Sequence, residues 1–128
     1  MKRILFVALV AALVMPMAAM AADKTITIAA DPQADAFTSG DIRRGAFNVS
    51  VSGASWSGTV TLQRSFDRVS AAGANDAAKD AAATWRDVAT YTANAEDIAY
   101  EPEGNVYYRI GMKNGDYSAG SVTVRIGK

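Results

Sequence analysis

The sequence predicts an all-β domain built from antiparallel strands. Apolar and polar residues alternate in six short segments, turn-forming residues separate these segments, and no long segment follows the period of a helix. The length of 128 residues suits one domain. This number and spacing of strands favours an antiparallel β-sandwich of the immunoglobulin-like type with six to seven strands, and a closed barrel is the alternative.

The first 21 residues have the three-part pattern of a secretory signal peptide. Lys2 and Arg3 precede an apolar run, and Ala19-Met20-Ala21 supplies the small residues of a cleavage site. Cleavage after Ala21 leaves a β-sandwich domain at residues 22–128, exported to the periplasm or the medium. An uncleaved anchor is the alternative, although the run is shorter than the ~20 apolar residues that comfortably span a bilayer.

Composition excludes several classes of function. Removing Lys2 and Arg3 from the 13 basic residues leaves 11 against 13 acidic residues, a formal charge of −2. The basic residues are scattered, which argues against a nucleic-acid or anionic-membrane surface. The chain has no histidine, so Ser-His-Asp catalysis and most zinc sites are excluded. It has no cysteine either, and we predict no cofactor and no enzymatic activity.

Four of the six segments alternate without interruption: "TITIAA", "AFNVSVSG", "NVYYRIGM" and "SVTVRIG". Asn-Gly at residues 114–115 predicts a hairpin between the last two, because both residues tolerate positive φ. Pro102 and Gly104 predict a turn before the third. The expected inward residues are Ile26, Ile28, Phe47, Val49, Val51, Val106, Tyr108, Ile110, Met112, Val122, Val124 and Ile126.

The two remaining segments are irregular. In "GTVTLQRSF", Arg64 falls on the same face as Val60, Leu62 and Phe66, which predicts a bulge, an edge position or a paired guanidinium. In "TWRDVATYT", Trp85 and Val88 differ in parity, which predicts an irregular start to the strand.

An inserted alanine-rich loop, residues 69–82, separates these two irregular segments. Asn75 or Asp76 is predicted to cap a short helical turn within it. Lengthening a loop costs only ~0.6 kcal/mol per doubling, so the hairpin is expected to persist. The loop is interpreted either as a binding loop or as a tolerated, mobile insertion.

Without the insertion, Ser65-Phe66-Asp67-Arg68 meets Ala82-Ala83-Thr84-Trp85. This join is similar to the Asp-box, S-x-D-x-G-x-T-W, a hairpin motif of sialidases and other β proteins, with an alanine at the glycine position. The resemblance implies that Asp67 accepts hydrogen bonds from turn amides and that Trp85 packs beneath the turn. The role it implies for its four matched positions is structural; they are Ser65, Asp67, Thr84 and Trp85.

The order of strand and turn segments in the chain resembles that of small β-sandwich structural proteins of tailed bacteriophages and prophages. The segments that carry the resemblance are "GTVTLQRSFD", "TW", "YT", "EPEG", "YYRIG" and a closing "GSVTV". The resemblance covers about residues 37–127. It implies a virion accessory protein, in the head, neck or tail, that binds other virion subunits or a host surface. Because virions assemble in the cytoplasm, either a bacterium uses the domain in its envelope or the apolar N-terminus is buried in an assembly.

Two acidic groups and three aromatic residues are candidate site residues. The carboxylates of the first group could flank a glycosidic bond and those of the second could bind calcium, but solvated charges are expected for both. The aromatic residues form a possible binding surface, with cross-strand packing as the alternative. The groups are Glu96, Asp97, Glu101 and Glu103; Asp31, Asp35 and Asp41; and Tyr107, Tyr117 and Trp56.

The sequence therefore predicts a non-enzymatic structural or binding domain, namely a phage-like virion accessory or assembly protein. The alternatives are a secreted or periplasmic carbohydrate-binding or adhesin-like module and, third, a small hydrolase that uses carboxylates. Expected partners are other protein subunits, either further copies or a virion-like assembly, or a surface glycan. Edge strands are the expected pairing sites. No nucleic acid is expected, and no membrane after cleavage.

Overall fold

The computed structural model of the protein describes residues 23–128. These residues form eleven strands and one short helix. The predicted signal peptide, residues 1–21, lies outside the described residues, as does Ala22. The elements are β1 (Lys24–Ile28), β2 (Ala36–Phe37), β3 (Asp41–Ile42), β4 (Gly45–Ser52), β5 (Trp56–Gly58), β6 (Val60–Ser65), α1 (Asp76–Ala82), β7 (Arg86–Tyr91), β8 (Ala95–Glu101), β9 (Tyr107–Met112), β10 (Tyr117–Gly120) and β11 (Val122–Gly127).

The strands form three antiparallel sheets, which confirms the all-β class. A four-stranded sheet has the order β1-β11-β4-β8. A five-stranded sheet has the order β2-β9-β6-β7, and β3 also pairs with β9. The small third sheet pairs β10 with β5. The free edges of the four-stranded sheet are therefore β1 and β8, and those of the five-stranded sheet are β2 with β3 on one side and β7 on the other.

One core cluster contains buried residues from both of the larger sheets. All the residues predicted to point inward in the regular segments are buried, apart from the partly buried Ile26. Phe47 of β4 and Tyr108 of β9 join the two sheets, with ring centroids 4.8 Å apart. Burying each large apolar side chain stabilises the fold by about 1.5–3 kcal/mol. Phe66, which was predicted to share a face with Val60 and Leu62, lies beyond the end of β6 and is 52% exposed, unlike those two buried residues.

The predicted segments cover six of the seven longer strands of the described residues and omit the short ones. Seven of the eleven strands have five or more residues, whereas β2, β3, β5 and β10 have two to four. The "AEDIAYE" stretch belongs to none of the six predicted segments, yet it forms β8. In this edge strand Ala95 and Ala99 are partly buried, and Glu101 at its end is buried.

The predicted irregularity of β7 is confirmed. Leu62 pairs with Ala89 while the next residue, Gln63, pairs with Asp87, so Val88 is skipped in the register. This bulge accounts for the different parity of Trp85 and Val88. Arg64 lies two residues after Leu62 on β6, which is a central strand because it pairs with both β7 and β9. The guanidinium carbon of Arg64 lies 4.9 Å from the ring centroid of Phe66.

The insertion contains α1, and Asn75 is its cap, as one of the two predicted alternatives. The Asn75 carboxamide oxygen accepts a hydrogen bond from the amide of Ala78 at 2.9 Å. At the other end, the Ala83 amide donates to the Lys79 carbonyl at 3.0 Å. No residue of α1 is buried. Within residues 23–128, no helix has the length and apolar character needed to cross a membrane.

Candidate functional site

The outward face of the five-stranded sheet carries stacked arginines and aromatic rings, which we call the arginine–aromatic layer: Phe37, Trp85, Arg109, Arg68 and Tyr107. The guanidinium carbon of Arg109 lies 4.4 Å from the ring centroid of Phe37 and 4.3 Å from that of Trp85. That of Arg68 lies 4.8 Å from the ring centroid of Tyr107. Cation–π contacts of this kind attract more strongly when they are shielded from water.

Arg68 ties α1 to the sheet. Its side chain is only 3% exposed, and its Nε donates to Asp80 Oδ1 at 2.6 Å. Its Nη2 also donates to Asp76 Oδ1 at 2.9 Å. Burial acts to lower the pKa of Arg68, but the hydrogen bonds to both carboxylates raise it overall. Asp80 Oδ2 accepts from the amide of Gly40 at 2.9 Å, so the helix is also fastened to the segment before β3.

Three of the four Asp-box-like residues meet at the base of the insertion. Asp67 Oδ1 accepts hydrogen bonds from the hydroxyl of Ser65 and from the amide of Thr84, both at 2.8 Å. These bonds lower the pKa of the Asp67 carboxyl. Trp85 points instead toward α1, where its Nε1 donates to the carbonyl of Asp80 at 2.8 Å. Hydrogen bonds therefore hold the two ends of the insertion together, from Asp67 to Thr84, and hold its C-terminal end to α1, from Trp85 to Asp80.

A cavity of about 770 Å³ opens between α1 and residues 34–39. Arg109 forms part of its wall, and Arg109 Nε donates to Gln63 Oε1 at 2.9 Å. Because Phe37 and Trp85 both stack on the guanidinium and Gln63 Oε1 accepts from Nε, the Nη edge is the part of Arg109 left to bind a ligand in the cavity. Within residues 23–128, no acceptor forms a hydrogen bond with that edge.

The electrostatics of Arg109 leave its positive charge incompletely compensated. Burial lowers its pKa, and the nearby carboxylates of Asp80 and Asp35 offset that burial only in part. A guanidinium remains protonated at neutral pH despite such a shift, since its ordinary pKa exceeds 12. The cavity wall therefore holds a partly buried cation, for which an anion is a favourable neighbour.

The three candidate surface aromatics do not form one surface. Trp56 and Tyr117 belong to the small sheet and pack partly buried against the core. Trp56 Nε1 donates to Asn94 Oδ1 at 2.8 Å, and the Tyr117 hydroxyl donates to the Gly120 carbonyl at 2.9 Å. Tyr107 begins β9, at the end remote from the turn into β10, and Arg68 covers its ring.

The outward side of β8 carries a second feature, which we call the β8 apolar pair: Ile98 and Tyr100. They are 73% and 71% exposed and are the most exposed large apolar side chains in residues 23–128. They lie two residues apart, so they share the outer face of the four-stranded sheet. The Ile98 amide donates to the carboxylate of Asp97 at 2.8 Å and is not available to another strand.

The acidic candidates have different environments. Glu96, Asp97 and Glu103 are exposed, whereas the expectation of a solvated Glu101 is wrong. Glu101 is 3% exposed because it accepts hydrogen bonds from the Tyr108 hydroxyl at 2.7 Å and the Glu103 amide at 2.9 Å. Burial, and then this hydrogen bond, raise the pKa of Tyr108 to about 12.

The calcium candidates make ordinary protein contacts. Asp35 Oδ1 accepts from the amide of Asn114 at 2.9 Å, and Asp41 forms an ion pair with the buried Arg43 at 3.4 Å. Asp31 is exposed. No group of three or more potential metal-ligating residues occurs in the described part of the chain.

Sequence reasoning missed the residues that build the cavity. Arg109 lies in the middle of an alternating strand, at a position expected to face solvent. Nothing in the neighbouring sequence predicts that aromatic rings stack on an arginine at this position. Phe37 was not assigned to a strand, and Gln63 lay beside the irregular Arg64. A signal was present at Arg68, an arginine directly after the Asp67 of a turn motif, which could have paired with the acidic residues of the insertion.

Comparison of the chain with protein-family models, curated proteins and solved structures found no significant match. The resemblance to bacteriophage structural proteins therefore stays a prediction. The sites that bear on function are the arginine–aromatic layer with its cavity, and the β8 apolar pair.

Proposed function

We propose that the chain is a non-enzymatic binding domain that joins a larger protein assembly through the outward side of β8. The observation that carries the proposal is the β8 apolar pair, Ile98 and Tyr100, side by side and nearly fully exposed on an edge strand. A contiguous exposed apolar surface marks an interaction site more often than a scattered residue does. A partner that covers both side chains gains about 25 cal/mol per Å² of apolar surface removed from water.

The charge around the pair indicates the kind of partner. Residues 92–105 contain four carboxylates and no lysine or arginine, and in the described part of the chain no salt bridge reaches Glu96, Asp97 or Glu103. A second copy of the same surface would bring like charges together. We therefore expect a different protein subunit, with an apolar groove bordered by lysine or arginine.

The occupied backbone amide at the edge of β8 indicates how the partner binds. Because the Ile98 amide already donates to Asp97, the centre of β8 lacks the free donor that strand addition requires. Contact through the side chains on the sheet face is favoured, with Tyr100 as the anchor, since tyrosine is enriched among residues that dominate binding energy.

We infer further that the two larger sheets form an immunoglobulin-like β-sandwich, exported after removal of residues 1–21. The shared core and the Phe47–Tyr108 contact support the sandwich. The sequence resemblance supports a phage-like virion accessory role, and the signal-like N-terminus supports use in a bacterial envelope. The internal hydrogen bonds of Trp56 and Tyr117 make them a less suitable glycan surface than the sequence suggested.

The test is site-specific photo-crosslinking of the full chain in its native host. A photoreactive residue replaces Ile98 and, as the matched control, Val88, which is 42% exposed on the edge strand of the other sheet. We expect one discrete adduct from position 98, identified by mass spectrometry as a structural subunit, weakened by added salt and lost with Tyr100→Ser. No adduct from position 98, or equal adducts from both positions, contradicts the proposal.

Mass spectrometry of the native N-terminus distinguishes a role in the bacterial envelope from a role in a virion. An N-terminus at Ala22 in a periplasmic or medium fraction supports an envelope role, and an intact Met1 in purified particles supports a virion role. An intact chain found free in the cytoplasm contradicts both settings.

A further inference from the structure

We propose that the cavity between α1 and residues 34–39 binds a small hydroxylated carboxylate of the sugar-acid class, held through the Nη edge of Arg109. This site is separate from β8 and goes beyond the assembly role. Its failure would leave the assembly role intact.

The anion preference follows from the way Arg109 is held. The rings of Phe37 and Trp85 both stack on its guanidinium as a clamp, and Gln63 Oε1 accepts a hydrogen bond from Nε. The remaining edge presents parallel N–H donors, which match the two oxygens of a carboxylate. Because the clamp already fixes the side chain, binding loses little rotamer entropy.

The preference for a single negative charge follows from the charges around the cavity. Arg68, the other nearby cation, is already paired with Asp76 and Asp80, whereas Arg109 forms no salt bridge within residues 23–128. Asp35 and Asp80 both lie on the cavity wall and repel a second negative charge on a ligand. A carboxylate therefore fits better than a phosphate dianion.

The preference for hydroxyl groups follows from the rest of the wall. Asp35 uses Oδ1 for the Asn114 amide, which leaves Oδ2 as an acceptor, and the exposed hydroxyl of Ser39 can donate or accept. Ala77 and Ala81 of α1 line the helix side with small apolar groups. A volume of about 770 Å³ has room for one or two sugar rings between these walls.

The first test is calorimetric titration of the purified chain with glucuronate. Glucose supplies hydroxyl groups without the carboxylate, acetate supplies the carboxylate without hydroxyl groups, and inorganic phosphate supplies a dianion. We expect glucuronate to bind at least about tenfold more tightly than each of these probes. Equal binding of glucose, tighter binding of phosphate, or no heat with glucuronate at millimolar concentration overturns the proposal.

The second test fills the cavity without touching Arg109. Ala81 faces the cavity and Ala82, the next residue of α1, does not, and both are exposed. Ala81→Leu is expected to weaken glucuronate binding about tenfold or more, while Ala82→Leu leaves it unchanged. Equal effects of the two substitutions overturn the proposal.

The third test separates charge from geometry. Arg109→Lys keeps the positive charge but loses the planar pair of donors, and it is expected to weaken glucuronate binding about tenfold. Asp35→Asn is expected to narrow the preference for glucuronate over phosphate, because it removes the repulsion. If Arg109→Lys fails to fold, the Ala81→Leu and Ala82→Leu pair still decides. An Arg109→Lys protein that folds and binds glucuronate normally contradicts the assigned role of Arg109.

Discussion

The outer faces of the two larger sheets differ in solvent exposure, although the strands of both sheets alternate apolar and polar residues in the sequence. Along β4, the residues between the buried apolar ones stay accessible, as the alternation predicts. Along β6, the outward Thr61, Gln63 and Ser65 are as buried as the inward Val60 and Leu62. One face is open to solvent and ends at the β8 apolar pair, whereas the other lies beneath the arginine–aromatic layer and its neighbours.

The difference shows that an outer face can be covered without an apolar second core. The insertion has no buried residue in α1, so burial of its alanines cannot hold it in place. Its attachments are the ion pair of Arg68 with Asp80, the indole hydrogen bond of Trp85 and the closed turn at Asp67. The covered face should therefore respond to changes of charge, and the open face should not.

The largest effect is expected in the core that both sheets share. Phe47→Ala removes a buried ring that contacts Tyr108 across the sheets. We expect the free energy of unfolding to fall by about 3–5 kcal/mol, measured by chemical denaturation. A loss below about 1 kcal/mol would show that the two sheets do not depend on a common core.

A smaller effect distinguishes the two outer faces. Arg68→Ala leaves the largely buried Asp80 without its cation, and we expect a loss of about 2–4 kcal/mol in the free energy of unfolding. The matched control is Arg125→Ala, which breaks an exposed ion pair with Asp23 on the open face and should have little effect. Similar losses for both variants in denaturant melts would remove the distinction between the faces.

The next prediction concerns the strand that brings Phe37 to Arg109. Gly111 faces β2 so closely that an added Cβ would lie 2.0 Å from the Ala36 carbonyl oxygen. Gly111→Ala should push β2 away and cost about 1–3 kcal/mol, seen in thermal melts and as faster amide exchange at Phe37. Gly104→Ala, which meets open space, is the control and should leave both measurements unchanged.

The smallest expected effect is a dependence on pH. Hydrogen bonds from Thr84 and Ser65 lower the folded-state pKa of Asp67 below its ordinary value, and Arg68 lowers that of Asp76. A lowered pKa contributes stability above the unfolded-state pKa of about 3.9, and this contribution is lost as the pH falls through the folded-state pKa. Acid should therefore loosen the insertion.

Asp67→Asn tests this dependence. We expect the variant to be less stable than the wild type at neutral pH, and the difference to shrink as the pH falls toward about 2. Denaturation midpoints measured across this range give the comparison. Asp31→Asn, at an exposed carboxylate that accepts no hydrogen bond in the described residues, should follow the wild-type curve. A constant difference at every pH would contradict the assigned role of Asp67.

Alternation predicted six of the seven longer strands and most of the core, because each regular strand buries one whole face. It missed β8 because the partly or fully buried residues of this strand are Ala95, Ala99 and Glu101, whereas its large apolar residues, Ile98 and Tyr100, are exposed. The covering of the five-stranded sheet was out of reach for a different reason. Stacking of Phe37 and Trp85 on Arg109 depends on residues far apart in the chain, and no local period records it. The cap at Asn75 was predictable because it is local.

The same dipeptide closes an edge of each larger sheet. Asp97 accepts the amide of Ile98 on β8, and Asp41 accepts that of Ile42 on β3, both at 2.8 Å. Each carboxylate occupies a donor that a strand from a neighbouring molecule would otherwise use. These two bonds therefore make edge-to-edge pairing between neighbouring molecules less favourable at β8 and at β3.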